Sequence, residues 1–200
     1  ADTLRVLGEV GLRPAGTVAA RVVETPTAAL EAEVALIDGM RLPAADFMAV
    51  GKTLARGGTV CLHALSIEQT RALLDTLGLP GEVVDGQAQP REWDTFRHTH
   101  ALANGMTNNY LYWIVNKANV APWTLAPLDS RPATALIRLP EGAHGAWSLT
   151  RHGAVTVYTV GAGTLVVDNL RWERPDFDEP ERPRRYVARL LTHLGIPLGG

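Results

Sequence analysis

Apolar residues arrive in short runs along this chain, and the segments between the runs carry them at helical spacing. Val34-Ala35-Leu36-Ile37 is apolar throughout and ends in Asp38-Gly39, which predicts a strand buried on both faces. Val18 to Val23, short and β-branched, predicts another just ahead of it. From Ala45 to Arg56 the residues Phe47, Val50 and Leu54 recur on one helical face, and Gly57-Gly58 supplies backbone free to turn left-handed at the helix end. Thr59 to Leu62 is again a short apolar strand. Ser66 and Gln69 then form a capping box for a helix running to about Leu77, closed by Gly78. At the front, Ala1 to Gly11 fits a helix with Asp2 at its start and Leu4, Leu7 and Val10 on one face; a strand from Leu4 to Val10 is the competing reading.

The middle of the chain, Glu82 to Leu128, loses this periodicity. Pro90, Pro122, Pro127, Trp93, Trp113 and Trp123 punctuate it, so a long structured excursion is expected. Order returns in four strand-like runs, Ala133 to Leu139, Gly145 to Leu149, Ala154 to Val160 and Gly163 to Val167, whose short connections predict antiparallel neighbours. The pair Gly161-x-Gly163 precedes a strand rather than opening a helix, which makes it a hairpin turn and not a phosphate cradle. A last helix over Pro183 to Leu194 places Val187, Leu190, Leu191 and Leu194 on one stripe and stops at Gly195.

Strands alternating with amphipathic helices predict a parallel sheet covered on both faces, because a parallel crossover needs a helix and such a sheet does not face water. The expected fold is α/β in three layers, with a mostly parallel sheet and antiparallel strands toward the C-terminal end. No repeat, low-complexity tract or linker divides residues 1–200, so one domain is expected. A doubly wound domain ordinarily opens on a strand, and none precedes Ala1 to Gly11. The expectation is an excised or processed piece of a longer chain, or a sheet without its usual first strand.

Composition narrows the function classes. Across 200 residues, 46% hydrophobic and 20% charged positions exclude collagen, coiled coil and wholesale disorder. Nineteen Lys and Arg against twenty-one Asp and Glu give a net charge of -2, so no basic field holds nucleic acid or an anionic membrane. No apolar run reaches the roughly 18 residues that span a bilayer. The single cysteine, Cys61, rules out an internal disulfide and a multi-cysteine zinc site.

Several segments together resemble the class I glutamine amidotransferase-like domains, of flavodoxin-like architecture, that occur attached to bacterial glycoside hydrolases and other exported enzymes. The residues that carry this are Ala35-Leu36-Ile37-Asp38-Gly39, the junction Arg56-Gly57-Gly58-Thr59-Val60, the stretch Gly105 to Trp113, and Gly161 to Trp172 followed by Tyr186 to Gly195. The resemblance spans about Val34 to Gly195 and implies the three-layer fold, an exported location and a neighbouring domain or subunit as partner. Active members carry a cysteine on a glycine-flanked elbow, completed by a histidine and an acid. Here Val60 precedes Cys61, Leu62-His63 follows it, and no His-x-Glu pair lies near the C-terminus, so the resemblance implies a catalytically silent domain without a cofactor.

Three sets of residues are candidates for chemistry. Asp38, His63 and Asp168 each stand at a predicted strand end, the edge where open α/β sheets bind ligands, and two carboxylates beside an imidazole suit acid/base work or a metal. The plainer alternative is that Asp38-Gly39 opens a turn, His63 leads into the helix cap, and Asp168-Asn169 hydrogen-bonds its own backbone on leaving a strand. His98 and His100 share a face if extended, a metal-ligand spacing that lacks a third member. Asn108, Asn109, Tyr110, Tyr112 and Trp113 combine amide forks with flat ring faces, the mixture that binds sugars, although the alternation equally fits a core-facing element. The proline- and charge-rich run Asp176 to Arg185 reads as a solvated loop.

The leading expectation is a non-catalytic accessory or assembly domain of a carbohydrate-active, glycoside hydrolase-type protein that contacts saccharide. A hydrolase using the Asp38, His63 and Asp168 cluster with a metal, and a stand-alone carbohydrate-binding module, are the alternatives.

Overall fold

The computed structural model describes Leu7 and residues 25–85, 135–139, 147–149, 152–170, 172, 181–196 and 198. A one-turn helix, α1 (Pro26–Ala29), is capped by the Thr25 hydroxyl and leads into β1 (Val34–Asp38). Two 3-10 turns, Gly39–Arg41 and Ala44–Asp46, deliver the chain to α2 (Phe47–Ala55). Then come β2 (Thr59–His63), α3 (Ile67–Leu77) and β3 (Glu82–Asp85). The later part supplies β4 (Ala135–Arg138), β5 (Trp147–Leu149), β6 (His152–Val160), β7 (Gly163–Asp168) and α4 (Glu181–His193).

The seven strands form one mixed sheet in the order β1-β2-β7-β6-β4-β3, with β5 pairing β6. β1 and β2 are parallel, as are β2 and β7, and the pairings among β7, β6, β5, β4 and β3 are antiparallel. The α/β class and the antiparallel strands of the C-terminal part match the expectation. α2 is the crossover that parallel pairing of β1 and β2 demands.

The local signals explain why these elements form where they do. Ser66 and Gln69 cap α3 reciprocally through backbone N–H groups at 3.1 and 3.0 Å, and Gly78 ends it left-handed at φ 62°. The Gln69 side chain also donates to the carbonyls of Gly39 and Leu42, tying the helix start to the turns after β1. α2 begins at Phe47 rather than Ala45, because the preceding turn is wound as 3-10. Inside it, the Thr53 hydroxyl donates to the Leu30 carbonyl at 2.7 Å, fixing α2 against the segment that enters β1.

Alternation along the strands sorts the sheet's two faces. Ala35, Ile37, Val60, Leu62, Leu165 and Val167 turn to one side, where they form a single apolar cluster with Phe47, Val50 and Leu54 of α2 and Leu73 and Leu74 of α3. Cys61, His63, Val166 and Asp168 turn to the other side. On α4 the stripe Val187, Leu190, Leu191 and Leu194 is buried, as its spacing predicts.

Two expectations change. The middle segment expected as an aperiodic excursion opens with strand β3, whose Val83 and Val84 are bounded by acids and whose partner β4 lies some fifty residues on; pairing that distant leaves no local trace. β6 starts at His152, two residues before the expected Ala154. Of the N-terminal helix only Leu7 is described, and it is helical and buried. The strand expected over Val18 to Val23 lies outside the described residues.

Thr156 on β6 faces Val167 across the ladder, is buried, and its hydroxyl has no hydrogen-bond partner. A buried hydroxyl without a partner costs about 1–3 kcal/mol. Thr156→Val, of nearly equal shape, is expected to stabilise the protein by about 1 kcal/mol in denaturant unfolding.

Candidate functional site

Parallel register brings the three strand-end residues into one row. Asp38 of β1 is the partner of His63 in β2, and His63 is the partner of Asp168 in β7. Residues paired in this way project from the same face, so spacing 105 residues apart in sequence becomes contact: His63 Nδ1 lies 3.2 Å from Asp168 Oδ2. With a carboxylate oxygen as partner, Nδ1 is the protonated ring nitrogen. Asp38 stays out of this contact. Its Oδ1 accepts from the Met40 N–H at 3.2 Å, closing the turn after β1, and the residue is half-buried.

Asp168 is the hub. Its Oδ2 also accepts from the Trp172 indole N–H at 2.7 Å, and its Oδ1 accepts from the Leu170 N–H at 3.2 Å. The Trp172 ring stacks on the His63 imidazole with centroids 3.9 Å apart and planes at 25°. His63, Asp168 and Trp172 are all 0% exposed. The arrangement thus joins β2, β7 and the turn after β7 through one carboxylate, and the indole covers one face of the imidazole.

Asn169 extends the network. Its Oδ1 accepts from the Leu65 N–H at 3.1 Å and its Nδ2 donates to the Ala135 carbonyl at 3.2 Å, so one carboxamide links the exits of β2 and β7 to the start of β4. Ala64 lies between His63 and the cap of α3. Its N–H donates to the Asp168 carbonyl at 2.8 Å, and its φ of 59° is the one positive value at a non-glycine among the described residues.

Cys61 sits two residues before His63, on the same face, in the interior of β2. It is fully buried, and that burial pushes its thiol well above the usual range, with the nearby Asp168 charge adding to the effect. Tyr186, from α4, lies against the same group. Burial first, then the nearby Asp168 charge, raises its phenol well above the ordinary value. Neither group ionises near neutral pH. A thiol held this way is a poor nucleophile, since the thiolate is the reactive form.

The sequence therefore locates Asp38, His63 and Asp168 correctly at the strand ends, and the structure brings His63 and Asp168 together while Asp38 serves its turn. The sequence pattern does not single out Trp172, Asn169, Ala64 or Tyr186. Trp172 follows Asp168 by four residues, a spacing that signals nothing outside a helix, and Asn169 fits a local turn as well as any long-range contact. The sugar candidates Asn108, Asn109, Tyr110, Tyr112 and Trp113, and the metal candidates His98 and His100, lie outside the described residues. Among the described residues no group of three His, Cys, Asp or Glu side chains is placed to hold a metal ion. Nor is any helix among them long and apolar enough to cross a membrane.

No family model, no curated protein and no solved structure matches this chain.

Trp172→Phe keeps an aromatic face over His63 and removes the N–H that reaches Asp168. A hydrogen bond to a buried carboxylate is worth about 1.5–3 kcal/mol, so the variant is expected to lose about 2 kcal/mol of unfolding free energy by denaturant titration. Asn169→Ala strands the Leu65 N–H and the Ala135 carbonyl together and is expected to cost at least as much.

Proposed function

We propose that this chain is a non-catalytic α/β domain, of the three-layer flavodoxin-like kind found in class I glutamine amidotransferases, that serves as an accessory or assembly module of an exported carbohydrate-active protein. The observation that carries the reading is the filled sheet edge. In open α/β sheets, ligands enter beyond the strand ends where successive connections leave for opposite faces. Here β2 leads to α3 on the side of the main cluster, whereas Tyr186 of α4, which follows β7, lies against Asp168 on the other side. The crevice between β2 and β7 is occupied by His63, Asp168, Asn169 and Trp172, each at most 1% exposed.

The buried position of Cys61 supports the same reading. An amidotransferase nucleophile needs an exposed thiolate beside an imidazole. Cys61 is neither exposed nor ionised. In this role the domain presents surface to a neighbouring domain or subunit, and the Asn108 to Trp113 stretch is the segment with the composition to touch saccharide.

The row Asp38, His63, Asp168 favours one competing reading, a hydrolase that works from the strand ends. It requires His63 to reach substrate, and the imidazole is fully buried.

The purified chain is expected to turn over neither glutamine nor chromogenic glycosides, and native Cys61 is expected to resist an aromatic disulfide reagent until denaturant is added. Glutamine hydrolysis abolished by Cys61→Ala would overturn the proposal, and glycoside hydrolysis abolished by His63→Gln would replace it with the competing reading.

A further inference from the structure

We draw no further inference here: the strongest candidate, the exposed apolar surface that Met40 in the turn after β1 and Met48 in the first turn of α2 present at the start of the β1-to-β2 crossover, carries nothing, because nothing in the structure shows what covers it.

Discussion

A carboxylate held entirely out of water is the constraint around which the C-terminal edge of this sheet is built. Taking Asp168 from solvent costs several kcal/mol unless its oxygens find donors, and the donors come from β2 and from the turn that follows β7. His63 arrives with β2, the Leu170 N–H with the turn that follows β7, and the Trp172 indole one step later. The His63 contact can be met only when β2 and β7 lie parallel and in register, which they do with His63 opposite Asp168. The carboxylate therefore ties together segments a hundred residues apart. Losing any one donor leaves it short, which makes the region respond to substitution as a unit.

The rest of the edge follows from the same tie. Once β7 exits at Asp168, the next residue, Asn169, is placed to hold both the Leu65 N–H and the Ala135 carbonyl, so the exits of two parallel strands and the start of an antiparallel one share a single side chain. Ala64 takes up its left-handed backbone in the gap between these bonds. On the opposite face of the sheet, Phe47, Val50, Leu54, Leu73 and Leu74 pack over the strands without a polar atom from this network. The polar connections sit on one face and the larger apolar cluster on the other. The exits of β2 and β7 are consequently lined with groups already committed to one another.

Much of this architecture is legible in the residues because it rests on local signals. The Ser66 and Gln69 box, the glycine stop at Gly78, the apolar run Val34 to Ile37 and the stripe on α4 each reflect physics within one or two turns of chain, and each element stands within two residues of where its pattern puts it. The strand ends Asp38, His63 and Asp168 are legible for the same reason, since a polar residue closing an apolar run marks an edge. What the sequence hides is non-local. Val83 and Val84 form a strand only because β4 arrives from far along the chain. The stacking of Trp172 on His63 depends on how the chain turns after β7, and the positive φ of Ala64 contradicts the ordinary preference of its residue type, so neither leaves a pattern to read. Cys61 shows the legible side: its strand position follows from its apolar neighbours.

The central claim is that the Asp168 cluster is a closed structural clasp rather than a site open to reactants. Hydrogen exchange of the Trp172 indole N–H, followed by NMR under native conditions, tests it most directly. A closed clasp predicts that this proton exchanges only when the whole domain unfolds, with an opening free energy equal to the global stability. Exchange at the rate of a solvent-exposed indole would contradict it.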